Sequence, residues 1–183
     1  VCLGLTACLP AEQTPSEEGQ PSLLKACPGF SETGEVAAVA NAECGTLRVL
    51  ENPADPEGRK IELNIRKLPA IRAIPAEDPL FIMVGGPGQA ATDFSSYVAP
   101  LFKDVRKKRD IILLDQRGTG NSNPLDCESE ESDNWMLSDE QAQVKDIELL
   151  RHCHDSYDAD LGFYTTPYAI DDLDQVRRAL GYK

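Results

Sequence analysis

Hydrophobic and polar positions alternate most cleanly between residues 59 and 70. In RKIELNIRKLPA, Ile61, Leu63 and Ile65 share one face, and Glu62, Asn64 and Arg66 share the other. That two-residue period predicts a half-buried strand. An earlier run, CGTLRVLENP at 44–53, reads as a strand ending in a turn. Pro53, Pro56 and Gly58 punctuate a hairpin-like link between the two. PLFIMV at 79–84 and DIILLD at 110–115 lack alternation and are continuously apolar. Runs of this kind suit central strands covered on both faces, as in a parallel sheet. Between them, Phe94, Val98, Leu101 and Val105 lie along one side of a predicted crossover helix over 92–107, which completes a βαβ unit.

Two further helices are predicted. Over 138–157, Ser138 and Gln141 fit a capping box, and Val144, Ile147, Leu150 and Cys153 trace an inward stripe. Over 165–183, Thr166 can cap, Pro167 suits the first turn and Gly181 falls just past the end. Ile170, Leu173, Val176 and Leu180 form its expected buried side. The pattern as a whole predicts an α/β fold, with antiparallel first strands followed by parallel strands and crossover helices. There is no internal repeat.

Composition narrows the function classes. The chain of 183 residues is the length of one domain with a real core, and 41% apolar with 27% charged residues is ordinary for a globular protein. Acidic residues outnumber basic ones by 31 to 18, a formal charge of −13. That balance repels phosphates, and no Lys/Arg stripe offsets it, so nucleic acid is not an expected partner.

The first residues read as processing information. VCLGLTAC is a short apolar run whose Leu5-Thr6-Ala7-Cys8 end resembles the bacterial lipobox, where a signal peptide is cut before a lipidated cysteine. On that reading residues 1–7 are a signal remnant and Cys8 carries the lipid that attaches the protein to an outer membrane or cell surface; the alternative is a cysteine-bearing fragment of an ordinary secretory signal, with a periplasmic or secreted protein. Leu9 after the cysteine favours, by resemblance to lipoprotein sorting in Gram-negative bacteria, the outer membrane. Residues 8–26, rich in Pro, Glu, Ser and Gln, are expected as a flexible tether, with the folded domain over 27–183. Cys27, Cys44, Cys127 and Cys153 remain. An even number in an exported chain suggests disulfides, and proximity favours Cys27–Cys44 and Cys127–Cys153 among the three possible pairings. A zinc site is the rival, but there is no CxxC and only His152 and His154 could join, so no metal or other cofactor is expected.

The stretch VGGPGQ at 84–89 follows an apolar strand and poses the functional question. A Walker A loop needs GxxxxGK[ST], which is absent. Gly86-Pro87-Gly88-Gln89-Ala90-Ala91 matches a dinucleotide fingerprint, and Asp115 ends the next strand where an acid could grip a ribose. Against this, two antiparallel strands precede the motif, and Pro87 lacks the N–H that a pyrophosphate-binding turn would use. The third possibility is an oxyanion hole. Fixed backbone N–H groups stabilise the charge that acyl transfer places on a carbonyl oxygen, and glycines let the main chain approach without a Cβ.

VGGPGQ together with LLDQRGTGNSNP at 114–124 resembles the prolyl and tripeptidyl aminopeptidase branch of the α/β-hydrolase fold, which pairs a GGPG loop with a DQRGxGxS segment. YTTPYAIDDLDQVRRALGYK resembles the helix leading into the nucleophile strand of the secreted members, and the Cys127-to-Cys153 spacing is similar to theirs. The likeness covers about residues 44–183. It implies Gly86 as an oxyanion-hole donor, Gly85 and Gly88 as shapers of the turn, and Asp115, Gln116, Arg117 and Gly118 as braces of the neighbouring loop. For Asp115 and Arg117 an architectural ion pair is the expectation, ahead of catalysis, with Arg117 making buried or half-buried hydrogen bonds to backbone or carboxylate. Val84 stands where many cytoplasmic prolyl aminopeptidases have histidine, so the strictly proline-releasing subtype is not implied.

The resemblance also requires a serine, an acid and a base in that order. No GxSxG occurs; Gly120-Asn121-Ser122-Asn123-Pro124 has proline in place of the second glycine. Ser122 is therefore expected as a loop hydrogen-bonder, and His152 and His154 as surface residues. The expectation is the N-terminal portion of an exported serine hydrolase acting on peptides, with the nucleophile beyond Lys183 and this piece inactive alone. The alternatives are an esterase on the same fold, a non-catalytic lipoprotein binding module and a dinucleotide-binding domain. The acidic run DCESEESD at 126–133 reads as a solvated loop, and Trp135 as its anchor.

Overall fold

The computed structural model describes residues 23–28, 39, 41–86, 88–127 and 138–183. Cys8 and the signal remnant, Trp135 and most of the acidic run lie outside the described residues. The described chain is a mixed α/β structure built on one five-stranded sheet. Its strands are β1 (Lys25–Ala26), β2 (Glu43–Leu50), β3 (Lys60–Leu68), β4 (Leu80–Ile82) and β5 (Ile111–Leu114), in the spatial order β1-β2-β3-β5-β4. The first pairings are antiparallel, with Leu47 opposite Leu63 and Ile65 opposite Leu114. Only β4 and β5 run parallel, with Phe81 opposite Ile112.

Period-two alternation divides the core between the two faces of this sheet. Ile112 and Leu114 of β5 join Val49, Ile61, Leu63 and Ile65 on one face, where Val176 of a C-terminal helix covers them. Ile111 and Leu113 join Leu68, Val98 and Ala99 on the other. All four β5 residues are buried, each contributing about 2 kcal/mol from apolar area removed from water. The expectation of two equally central strands therefore needs correction. β5 is central, whereas β4 has one strand neighbour among the described residues, is half-buried, and leads into an exposed Met83.

The predicted crossover helix is broken. It comprises a 3-10 turn (Ala91–Phe94), α1 (Ser95–Leu101) and α2 (Lys103–Arg106). Pro100 lies inside α1, and its ring and missing N–H stop the helix from continuing. The buried face is Ser95, Val98 and Ala99, while Leu101, expected inward, is three-quarters exposed.

Helix α3 (Asp139–Ser156) starts at the expected capping box, in which Ser138 and Gln141 exchange hydrogen bonds. Its expected stripe is overturned: Val144, Ile147 and Leu150 are exposed, and only Cys153 is buried. Helix α4 (Thr166–Ala179) has Thr165 rather than Thr166 at its N-cap, without a side-chain cap bond. It ends as a Schellman motif, with Gly181 N–H donating to Arg178 and Tyr182 N–H to Arg177. Its buried residues are Ala169, Asp172 and Val176, and Ile170, expected inside, is exposed.

Disulfides join Cys27 to Cys44 and Cys127 to Cys153, as proximity favoured. Each adds about 3 kcal/mol by restricting the unfolded chain, and such bonds are features of proteins that mature outside the reducing cytosol. The first ties β1 to β2. It also shows that the packed body begins before residue 27, because Leu24 is buried and Lys25 pairs with Cys44. Among the described residues, no helix is long and apolar enough to cross a membrane.

Candidate functional site

Because β4 and β5 are parallel neighbours, their carboxyl ends open on the same edge of the sheet, where α/β proteins place their ligands. Two turns leave that edge side by side. From β4 comes the segment Gly85, Gly86 and Gly88, all exposed. Gly86 and Gly88 have φ of 85° and 91°, a region that side-chain-bearing residues avoid. Space is not the reason for glycine here: a Cβ at Gly88 would meet nothing within 4 Å, and one at Gly86 only the end of Gln89. The glycines set the direction of the backbone amides. Among the described residues, the amides of Gly85, Gly86 and Gly88 donate no hydrogen bond.

The turn after β5 is the opposite kind of object. Asp115 is fully buried, and its carboxylate collects donors from three segments. Thr92 N–H donates at 2.9 Å and its hydroxyl at 3.0 Å, Asn64 Nδ2 at 2.8 Å and the Asn121 amide at 3.2 Å. Asp115 thus ties β3, the exit of the glycine turn and its own loop together. So many hydrogen bonds to one buried carboxylate replace the cation it would otherwise need. With its oxygens committed and no exposed surface, Asp115 is not placed to grip a ribose. That removes the strongest support for a dinucleotide site. Ser122 is also fully buried, its Oγ accepting from the Asn64 amide at 2.8 Å, a loop role and not a nucleophile's.

Arg117 does not pair with Asp115, contrary to expectation. Its Nε and Nη2 donate to the two oxygens of Asp172 on α4, both at 2.7 Å, and Nη1 donates to the carbonyls of Glu51 and Phe163. Tyr168 lies under the guanidinium at 5.6 Å. Both side chains of the pair are at most 2% exposed. Burial pushes the Asp172 carboxyl above the ordinary range, against the pull of the Arg117 guanidinium. The pair fastens α4 to the β5 turn. Nearby, Gln116 accepts at its carbonyl from both the amide and the hydroxyl of Thr119, and Gly118 N–H donates to the Ser122 carbonyl. A second knot forms where the Tyr164 hydroxyl donates to Glu51 at 2.7 Å and accepts from Asn123. Burial and the Glu51 bond push the Tyr164 hydroxyl well up.

The sequence reading did not single out Asn64, Thr92, Gly120 or Asp172 for these roles. Asn64 and Arg66 were assigned to the polar side of β3. That side is half-buried under the 3-10 turn, where Arg66 donates to the Thr92 carbonyl and the Ser95 hydroxyl, each at 2.7 Å. Asp172 carried a signal in its spacing, three after Ala169 and four before Val176, but a charged residue in a helix reads as solvent-facing. Gly120 has φ of 52°, and a Cβ there would lie 2.5 Å from Ala90 Cβ and 2.6 Å from Asp115 Oδ2. Only the shape of the buried knot shows this. His152 and His154 are exposed on α3, and His154 Nδ1 lies 3.0 Å from Asp155 Oδ1.

Between the glycine turn and α1 lies an open cleft of about 770 Å³, lined by Gly88, Gln89, Ala90, Asp93, Phe94, Tyr97, Gly120 and Asp126. It is bounded by Gly88 of one turn and Gly120 of the other. Among the described residues, no group of three His, Cys, Asp or Glu side chains is placed to hold a metal ion.

No protein-family model matches the chain. It is similar to two curated proteins, the tripeptidyl aminopeptidases of Streptomyces lividans and Streptomyces coelicolor. Each is 29% identical to it over 156 residues, which take in 77% of this chain and 29% of the relative. The chain therefore spans less than a third of the length of these curated relatives.

Proposed function

We propose that the chain forms part of an exported serine hydrolase of the α/β-hydrolase fold, one that removes residues from the amino ends of peptides. The observation that carries this reading is the turn after β4: its glycines are exposed, their amides donate no hydrogen bond among the described residues, and Gly88 lines a cleft. The similarity to tripeptidyl aminopeptidases supports it. So does the strand order: once the two-residue β1 is set aside, the glycine turn follows the third strand of a sheet that begins antiparallel and becomes parallel.

In this mechanism a serine outside the 183 residues attacks the scissile carbonyl carbon while its proton passes to a base. The carbonyl oxygen becomes an oxyanion that accepts a hydrogen bond from the Gly86 amide. Collapse breaks the C–N bond, the leaving amine takes the proton, and water then hydrolyses the acyl-serine ester. Asp115 and Arg117 act on the position of the turns and touch no reacting atom. Attachment to a membrane through a lipid on Cys8 belongs to the same proposal.

The test is labelling of the protein at its full natural length with a fluorophosphonate. One serine is expected to be modified, with loss of peptide hydrolysis in proportion. Absence of labelling together with absence of hydrolysis overturns the reading.

A further inference from the structure

The cleft beside the glycine turn has a chemical character that the acyl-transfer reading does not by itself require. One wall is aromatic: Phe94 and Tyr97 lie with ring centroids 6.3 Å apart, and Tyr97 is 73% exposed. The rim carries two carboxylates, Asp93 and Asp126, both exposed. Among the described residues neither makes an ion pair or a hydrogen bond, and no lysine or arginine lines the cleft. Arg66, which reaches the same turn from β3, directs Nη1 to the Thr92 carbonyl and the Ser95 hydroxyl. The floor is glycine at both turns, Gly88 and Gly120, so main chain lies open to whatever enters.

A groove that combines aromatic faces with unpaired carboxylates suits one kind of occupant. A long cationic side chain lays its aliphatic stem and charge against the rings, and its head meets the carboxylates. A neutral or acidic side chain gains nothing from the carboxylates. An α-ammonium group alone has no stem to cover Phe94 and Tyr97, and the cleft is far larger than it needs. We propose that this cleft is a specificity subsite for an arginine or lysine side chain of the substrate peptide, with Asp93, Asp126 and Tyr97 as its determinants. The proposal rests on the peptidase reading for the word substrate, while the recognition itself depends only on the cleft.

The experiment is calorimetric binding to the full-length protein of three short peptides that differ at one residue or one end. The first is acetylated and contains arginine, the second is acetylated with citrulline in place of arginine, and the third is the citrulline peptide with a free amino end. The arginine peptide is expected to bind about five- to tenfold more tightly than its citrulline partner, the combined effect of an exposed ion pair and a cation–π contact. Asp93→Asn, Asp126→Asn and Tyr97→Ala each reduce that ratio toward one. All three are exposed positions, and unchanged melting temperatures show that the variants fold. Equal affinity for arginine and citrulline overturns the proposal, as does the absence of measurable binding by the arginine peptide. A gain from the free amino end that matches the gain from arginine, and is lost in Asp93→Asn, overturns it in favour of an α-ammonium site. A protein that takes the fluorophosphonate but shows no arginine preference loses the subsite alone. One that prefers arginine but never labels keeps the subsite and loses the hydrolase.

Discussion

Two glycine-bearing turns leave neighbouring parallel strands at one edge of the sheet, and they spend their polar groups in opposite ways. After β4, the amides of Gly85, Gly86 and Gly88 donate no hydrogen bond among the described residues. After β5, the polar groups of Asp115, Arg117 and Ser122 are buried and committed to β3, to the 3-10 turn and to α4. In the proposed hydrolase, the difference separates scaffold from chemistry. A group that must receive a transient charge has to remain uncommitted until substrate arrives, and it remains fixed only if its neighbour is thoroughly bonded. The β5 turn therefore positions the β4 turn, with Asp115 holding Thr92 as the shared link.

The comparison can be broken from its buried side first. Arg117→Ala leaves Asp172 as an unpaired buried carboxylate and opens the Glu51 and Phe163 carbonyls. A loss of about 3–5 kcal/mol is expected, read as a fall in the urea midpoint. Arg117→Lys, which keeps the charge but not the fork, recovers only part of it.

The same substitution at two glycines sharpens the contrast. Gly120→Ala forces a Cβ against Ala90 and Asp115 at a positive φ and is expected to cost about 2–4 kcal/mol of stability. Gly86→Ala meets only the end of the Gln89 side chain, so its stability cost is about 1 kcal/mol, the price of the left-handed backbone. Under the proposed acyl transfer its larger effect is on rate: rotation of the amide away from the oxyanion lowers kcat about 100-fold with KM little changed. Equal effects of the two variants on melting temperature and on kcat would remove the division of labour.

The smallest expected effect concerns alkaline pH. Tyr164 donates to Glu51 and Tyr182 to Asp110 at 2.6 Å, and burial with these carboxylate bonds pushes both hydroxyls up. A raised folded-state value means that the unfolded chain releases these protons first. Their contribution is thus intact below pH of about 10, the unfolded tyrosine value, and is lost as pH rises above it. Unfolding monitored between pH 8 and 11 should show stability falling at the upper end, with a shallower fall in Tyr164→Phe and Tyr182→Phe.

Much of the sheet was legible in the sequence because alternation and continuous apolar runs are direct imprints of burial. β3 and β5 lie within the expected runs, trimmed by one or two residues at each end, and β2 starts one residue ahead of its run and stops three short of its end. The helices were less legible, since an apolar residue at helical spacing records a preference and not a partner. Val144, Ile147 and Leu150 look like an inward stripe, yet α3 is fastened to the described structure through Cys153. Pro100, inside α1, carries a helix-breaking signal that the expectation of one helix over 92–107 did not use. At the site, the glycines of VGGPG could be read because positive φ demands them. The partners of Asp115 and Arg117 could not, because apart from Asn121 they lie 23 to 66 positions away and leave no local period.

The Cys127–Cys153 bond spans 26 positions and takes in most of α3. A peptide bond severed anywhere inside that span leaves two polypeptides still joined through sulfur. In surroundings rich in foreign proteases, α4 would stay covalently attached to the sheet, and so to the arginine it clasps, after such a nick.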